Sequence, residues 1–196
     1  EVVASGDHRF LTERGWKFVA KDEAGGQRPH LTLNNTLMGF GALPATAGRE
    51  HSGDYRRGYL CGLIRGDGHL GVYHYTREGR RNGDQYRFRL AMTDSEALER
   101  ATDYLSGFGI ATDRFLFQAR TAIRRRMEAI RTSAKASVAA ISRLIEWPDR
   151  PEGDWARGFV GGIFDAEGSF SGGTIRITNT DRRMIDVLSE GLRHTR

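Results

Sequence analysis

Two short segments of this chain, 100 residues apart, repeat one pattern of glycines and acids. Residues 54–68 are DYRRGYLCGLIRGDG, and residues 154–168 are DWARGFVGGIFDAEG. Each segment predicts a helix that begins at an Asp N-cap, Asp54 or Asp154, and ends at the glycine after its last acid. Small residues recur at every fourth position on one face of each helix: Gly58, Gly62 and Gly66, then Gly158, Gly162 and Ala166.

The small residues predict that the two helices pack against each other. A glycine within a helix costs about 1 kcal/mol relative to alanine, so a row of glycines needs a compensating gain. Close approach of two backbones supplies that gain, and a parallel pair would bring Asp67 and Glu167 to the same end. Two crowded carboxylates favour a cation between them, and hard oxygen ligands favour Mg²⁺. Near a phosphate, such a site suits metal-assisted phosphodiester hydrolysis.

The segments LCGLIRGDG (60–68) and VGGIFDAEG (160–168) resemble the signature motif of the LAGLIDADG homing endonucleases. The resemblance implies an α+β fold of two αββαββα halves, related by a pseudo-two-fold axis into a pseudo-dimer within the chain. It also implies a DNA endonuclease that needs Mg²⁺ or Mn²⁺ and cuts both strands. Asp67 and Glu167 would be its catalytic metal ligands, with Gly66 and Ala166 in the same metal site. Arg65 departs from the signature, at a position that does not bind metal.

The residues after the first motif predict the remaining elements of one such half. Residues 69–78 and 84–92 predict two strands, with Asn82-Gly83 as a hairpin signal. Within the second strand, Tyr86, Phe88, Leu90 and Met92 are expected to be buried. A helix is expected from Thr93-Asp94-Ser95 to about Gly107, with the apolar stripe Ala97, Leu98, Ala101, Tyr104 and Leu105. Two strands near 112–120 and 123–133 follow, and then a helix over 134–147.

The outward side chains of these strands are candidate DNA contacts, since in the family the sheet forms a saddle in the major groove. A solvated strand face is the alternative for each of them singly. The candidates are Tyr73, Tyr75, Arg77, Arg80, Arg81, Gln85, Arg87, Arg89, Arg120, Arg124 and Arg126. Lys135, or one of the strand arginines, is the candidate for stabilising the transition state, and the sequence does not select among them.

The segment after the second motif predicts only the start of a second half. Residues 169–192 give a short hairpin around Gly172-Gly173 and a helix capped near Thr180-Asp181. We therefore expect a first half over 51–150 and a truncated second half over 151–196. The sequence begins at Glu1, without an initiator Met, and ends at Arg196 in the middle of an apparent helix. We therefore expect a fragment of a larger protein. We also expect its cutting activity to be impaired.

The first fifty residues have a different character. Ser5-Gly6-Asp7-His8 resembles the Thr-x-x-His block of inteins, the self-splicing Hint domains, which implies a β-rich Hint remnant over 1–50. In that family the histidine, here His8, assists the first acyl shift. Residue 1 is Glu rather than Cys, Ser or Thr, and no His-Asn pair ends the chain, so we do not expect this chain to splice alone. The remaining intein and its host polypeptide are the implied partners.

Composition sets broader limits on function. The net charge is +5, and the 30 basic residues include only Lys17, Lys21 and Lys135 as lysines. Arginine suits bidentate binding of phosphate and guanine, although a skewed genomic base composition gives the same bias. Cys61 is the only cysteine, which excludes an internal disulfide. No apolar run has the length of a membrane span and no signal peptide is recognisable, so a cytoplasmic protein is expected.

Three alternatives to a homing endonuclease remain open. A non-cutting DNA-binding regulator on the same scaffold would be expected to lose the acids, and both are present. An RNA maturase is disfavoured by the intein-like block. A protein-splicing module with a degenerate nuclease is compatible with the short second half.

Overall fold

The computed structural model describes residues 6, 8–23, 26–37, 51–74, 83–171 and 174–194. The chain divides into two compact units, Glu1–Glu50 and His51–Arg196. No helix in the described part of the chain is long and apolar enough to cross a membrane. The two units are described separately below.

The first unit contains short antiparallel strand pairs. A hairpin joins β1 (Arg9–Thr12) to β2 (Gly15–Phe18), and β3 (Asp22–Glu23) pairs with β4 (Gly26–Gln27). The buried Thr12 shapes the hairpin turn, because its hydroxyl donates to the Gly15 carbonyl at 2.8 Å and accepts from the Arg14 amide at 3.1 Å.

The second unit is organised around two parallel helices, α1 (Gly53–Asp67) and α4 (Gly153–Glu167). Their backbones touch. A Cβ placed on Gly158 would lie 2.0 Å from the carbonyl oxygen of Tyr55, and one on Gly58 would lie 2.0 Å from that of Trp155. The contact continues along the pair, where a Cβ on Gly162 would lie 2.0 Å from the Tyr59 carbonyl. The predicted close helix packing is therefore present.

The ends of these helices differ in detail from the sequence-based expectation. The N-cap of α1 is Ser52, whose hydroxyl accepts from the Tyr55 amide, while Asp54 lies in the first turn. The N-cap of α4 is Glu152, without a side-chain cap hydrogen bond. The predicted Asp54 and Asp154 caps are therefore wrong. Asp154 instead accepts a hydrogen bond from Ser52 at 2.8 Å, which joins the N-terminal ends of the two helices.

The glycine after each motif acid ends its helix, as predicted, for an unexpected reason. Gly68 has φ −80° and ψ 146°, an extended conformation open to any residue, and begins the next strand. A Cβ there would lie 2.5 Å from the carbonyl oxygen of Ile64. A Cβ on Gly168 would lie 2.3 Å from that of Phe164. Lack of space, rather than a left-handed backbone, requires glycine at both positions.

A four-stranded antiparallel sheet follows α1, with the strand order β5–β6–β8–β7. Two helices, α2 and α3, pack against one of its faces. The bounds are β5 Gly68–Tyr73, β6 Gln85–Met92, α2 Ser95–Gly107, β7 Asp113–Gln118, β8 Met127–Thr132 and α3 Lys135–Leu144. The order matches the predicted αββαββα half.

Burial in this half follows the predicted periodicities. On β6, Phe88, Leu90 and Met92 are buried, while Gln85, Arg87 and Arg89 are exposed. Tyr86 packs partly buried against the core. The predicted apolar stripe of α2 is buried in full: Ala97, Leu98, Ala101, Tyr104 and Leu105.

The second motif helix is followed by fewer elements than the first. Strands β9 (Gly168–Ser171) and β10 (Thr174–Ile177) form a two-stranded sheet, and α5 (Arg182–His194) packs against α4. The predicted hairpin tip at Gly172-Gly173 lies outside the described residues. Phe170 and Ile175 are cross-strand partners and are largely exposed. The equivalent cross-strand pair of the first half is Leu70 on β5 and Phe88 on β6, of which Phe88 is buried, so the described part of the second half covers less apolar surface.

The helix contact predicts the effect of adding one methyl group. Gly162→Ala places Cβ against the Tyr59 backbone, which cannot move without separating the helices, so we expect a loss of roughly 1–3 kcal/mol or more in the free energy of unfolding. Gly53→Ala is the matched control, because a Cβ there meets nothing within 4 Å. Urea denaturation of both variants tests this. Equal stability of the two variants would contradict the packing described.

Candidate metal and nucleic-acid site

The two motif acids are the last residues of the paired helices. Because α1 and α4 are parallel and in contact, Asp67 and Glu167 lie at the same end of the pair. The closeness at this end is evident from Gly66, where a Cβ would lie 2.5 Å from the Ala166 Cβ and 3.4 Å from the Glu167 Cγ. Loss of water around the Asp67 carboxyl, and then the charge of Glu167, raise the pKa of Asp67.

Asn179 holds the second acid in place. Its side-chain amide donates to the Glu167 carboxylate at 3.0 Å, while its carbonyl oxygen accepts from the Asp181 amide at 2.7 Å. The two bonds fix which side of the Asn179 side chain faces Glu167. Sequence reasoning missed this residue, because aligning Thr180-Asp181 with Thr93-Asp94 places Met92 opposite Asn179 and gives no repeated signal.

The chemistry of this end suits a hard cation. The final carbonyl groups of a helix have no partner within it, and its C-terminus carries partial negative charge. Here two such ends converge beside two carboxylates. In the described part of the chain no group of three or more His, Cys, Asp or Glu side chains is placed to hold a metal. A cation at Asp67 and Glu167 would therefore complete its shell with other oxygen atoms, such as the carbonyls of Gly66 and Ala166, water or phosphate.

The two motif copies differ two residues before the acid. Arg65 donates to the Ile145 carbonyl from Nε at 3.0 Å and Nη2 at 2.7 Å, just past the end of α3. Its guanidinium lies over the Trp147 ring, 4.3 Å from the centroid. Arg65 therefore binds α1 to α3, which accounts for the departure from the motif.

Asp165 occupies the equivalent position in α4. It accepts hydrogen bonds from the Tyr59 hydroxyl at 2.5 Å and from Arg100 Nη1 at 2.9 Å. Burial and then Asp165 raise the pKa of the Tyr59 hydroxyl, which consequently stays protonated and donates. Asp165 thus links α4 to α1 and α2. Neither Arg65 nor Asp165 had an assigned partner at the sequence level, since both partners come from distant elements.

The outer face of the sheet carries the described DNA-contact candidates of β5 and β6. Tyr73 lies on β5, and Gln85, Arg87 and Arg89 lie on β6, with Tyr73 paired to Gln85 in register. Arg120 and Arg124 are exposed in the β7–β8 connection. Arg126 is ion-paired with Glu128, which also binds Arg114. The remaining candidates, Tyr75, Arg77, Arg80 and Arg81, lie outside the described residues.

Arg131 is a further residue of this face that sequence reasoning missed. It lies on β8 beside Arg89 in register and is exposed. Its guanidinium stacks over Phe115 at 4.7 Å, and Arg89 stacks over Phe117 at 4.7 Å. The strand signal alone did not reveal it, because its position on the outer face depends on the pairing of β8 with β6.

Three other candidates remain: Lys135 in the second unit, His8 in the first unit, and Ser5. Lys135 begins α3, with its ammonium 5.6 Å from the ring centroid of Tyr86, on the helix-covered face of the sheet. Tyr86 pairs with Val72, four residues beyond the start of β5, so Lys135 is not brought beside Asp67. His8 is exposed in the first unit, with its ring 4.8 Å from that of Phe10. Ser5 lies outside the described residues.

Comparisons with known proteins agree with this architecture. Residues 154–194 match the family described as the LAGLIDADG-like domain. The solved structure of I-DmoI in complex with DNA and Mn is similar over 72% of this chain and 78% of that chain, with 19% sequence identity and a TM-score of 0.54. A variant of I-DmoI in complex with its target DNA and Mg has the same identity and TM-score, and covers 72% and 77% of the two chains.

A second kind of relative has the same fold. The N-terminal LAGLIDADG domain of DUF199/WhiA is similar over 72% of this chain and 65% of that chain, with 11% identity and a TM-score of 0.50. The comparison with curated proteins finds no match. Residues 154–194 therefore match the LAGLIDADG-like family model, and the fold of the chain is similar to that of the I-DmoI homing endonuclease. The Hint remnant is not among these findings.

The raised pKa of Asp67 predicts how stability depends on pH in the metal-free protein. The native state keeps the Asp67 proton to higher pH than the unfolded chain, so stability falls as pH rises between the two pKa values. Above both pKa values, the loss of folding stability caused by the Asp67 charge is constant. Asp67→Asn removes it, and we expect this variant to gain stability over the parent at pH 7, in chelator, but not at pH 3.

Asp54→Asn is the control for this prediction. Asp54 lies in the first turn of the same helix, where a negative charge is favourable. Removal of the Asp54 charge should therefore lower stability at pH 7, whereas Asp67→Asn should raise it. Thermal denaturation of both variants across pH measures the difference. An Asp67→Asn variant that is less stable than the parent at pH 7 would contradict the described crowding of the two acids.

Proposed function

We propose that this chain is a metal-dependent DNA endonuclease of the LAGLIDADG homing type. The observation that carries the proposal is the convergence of Asp67 and Glu167, one from each motif copy, at one end of the α1–α4 pair. Two further observations support it. The acids lie at helix C-termini, where a cation is favoured, and Asn179 orients the Glu167 carboxylate. A regulator without cutting activity would have no use for this arrangement.

The residues of the chain would share the work of phosphodiester hydrolysis. A bound Mg²⁺ or Mn²⁺ supplies charge stabilisation and a water of lowered pKa. Asp67 and Glu167 act as ligands that hold and orient that ion, rather than as general bases. The arginines of the outer sheet face bind the DNA and bring a phosphate to the acids. Lys135 packs against Tyr86 on the helix-covered face of the sheet, so it is not selected for transition-state stabilisation, and the described contacts select no other residue for that role.

We also propose that this nuclease belongs to an intein and that the 196-residue chain cuts weakly by itself. The small β-strand unit that precedes α1 is compatible with a piece of a splicing domain, in which His8 does not work as a catalyst in this chain alone but would assist the first acyl shift in an intact intein. Weak cutting is expected because, among the described residues, two strands follow the second motif where four follow the first. Fewer strands offer fewer contacts to the second half of a DNA site.

The nuclease proposal is tested with two conservative variants, Asp67→Asn and Glu167→Gln. Each keeps the side-chain shape while removing a metal-binding charge, so we expect Mg²⁺-dependent cutting to fall by at least about a hundredfold. The assay is linearisation of a plasmid library with random inserts, followed by sequencing of the ends. Asp186→Asn, on the exposed surface of α5, is the control. Cutting that survives in both site variants would rule out the metal assignment.

The intein proposal has a separate test. A longer reading frame around this sequence is expected to place a Cys or Ser upstream and a His-Asn pair downstream. Expression of that longer frame should release ligated flanking segments, detected by mass spectrometry, and His8→Ala should slow their release. Flanks that lack those residues and remain unligated would count against an intein origin without touching the nuclease proposal.

A further inference from the structure

The outer face of the sheet carries a row of polar side chains that crosses all four strands. His69 pairs with Arg89, Arg89 with Arg131, and Arg131 with Asp113. All four are exposed. Adjacent strands lie about 4.8 Å apart, so the row spans about 14 Å. This length is comparable with roughly four base-pair steps of DNA, at about 3.4 Å each.

The two arginines of this row are ordered by aromatic rings instead of carboxylates. Arg89 lies over Phe117 and Arg131 over Phe115. Ala129 lies on the same face of β8, two residues before the exposed Arg131, and is fully buried. The longer side chains around it therefore cover it. Stacking uses the flat face of a guanidinium and leaves its hydrogen-bonding edge available.

Two other arginines of this sheet, Arg114 and Arg126, are neutralised, unlike the arginines of the row. Arg114 and Arg126 both bind Glu128. Among the described residues, neither Arg89 nor Arg131 forms an ion pair, even though Asp113 is the register partner of Arg131. The row therefore keeps two ordered guanidinium forks and one carboxylate available to a ligand. A groove of about 670 Å³ is lined by all four row residues.

We propose that the row of His69, Arg89, Arg131 and Asp113 reads G·C base pairs in the DNA major groove. This inference rests on the proposed function and names the base composition of the DNA recognised next to the metal site. A guanidinium fork matches the O6 and N7 acceptors of guanine, and a carboxylate accepts from the N4 amino group of cytosine. His69 lies two residues after Asp67, so the row is close in sequence to the cutting site.

Asp113 distinguishes base reading from binding of the phosphate backbone. A carboxylate on a cationic face weakens its attraction for phosphate, whereas it gains a partner at cytosine. The major groove of B-form DNA is about 12 Å wide and admits a two-stranded ribbon, while that of A-form RNA is too narrow for side chains. The arrangement therefore favours duplex DNA over duplex RNA.

The test is selection of bound sequences from a random duplex DNA library by the full chain in EDTA, which prevents metal-dependent cutting. The expected result is a short block rich in G·C pairs. Arg89→Ala and Arg131→Ala should each reduce the preference for guanine by about tenfold or more, at different positions of the block. Asp113→Asn should change one preference from cytosine to adenine, because Asn pairs with adenine N6 and N7.

Arg124→Ala is the matched control, since it removes the same side chain from an exposed position outside the row. It should weaken binding to all sequences equally and leave the selected block unchanged. Melting temperatures establish that each variant is folded. Competition with duplex RNA of the same sequence provides the second measurement.

The outcomes separate this inference from the proposed function. If Arg89→Ala and Arg131→Ala behave as Arg124→Ala does, the row binds phosphate and the base-reading inference is overturned, while the nuclease proposal stands. The same holds if the selected sequences have no G·C block. Tighter binding of duplex RNA, or no binding of DNA at all, would overturn both.

Discussion

The contact between the backbones of α1 and α4 is the constraint on which the second unit depends. Gly58, Gly158 and Gly162 each face a carbonyl of the other helix, at distances that leave no room for a Cβ. Because the helices touch along their length and run parallel, their C-terminal ends cannot separate. Asp67 and Glu167 are consequently held together despite their like charges. Loss of water around the Asp67 carboxyl, and then the charge of Glu167, raise the pKa of Asp67.

The repeat is approximate in sequence, and its departures are where the two halves take different roles. Arg65 binds α1 to the end of α3, whereas Asp165 at the same motif position joins α4 to Tyr59 and Arg100. Asn179 fixes Glu167, while the aligned residue in the first half is the buried Met92. The two acids therefore have different surroundings, and Glu167 is the one whose orientation is set by a neighbouring side chain.

Features with a local period were predictable from the sequence. The glycine row, the alternation on β6 and the stripe of α2 follow from repeats of four, two and three to four residues, and the structure confirms them. The predicted cap of α1 was wrong because Ser52 accepts from the Tyr55 amide, and the predicted cap of α4 was wrong because Asp154 lies in the first turn and accepts from Ser52 of the other helix end. The roles of Arg131 and Asn179 were missed, since each depends on strand pairing or on a partner from another element.

Negative and positive charges occupy different parts of the second unit. The acids and the helix C-termini concentrate negative charge at one end of the α1–α4 pair, while the outer face of the sheet carries uncompensated arginines. Stacking on Phe117 and Phe115 holds the guanidinium groups of Arg89 and Arg131 over the sheet. If this face binds DNA and the two acids bind metal, as proposed, the aromatic rings order the arginines without using a carboxylate, so the charges of Asp67 and Glu167 are left for the metal and those of the arginines for the DNA.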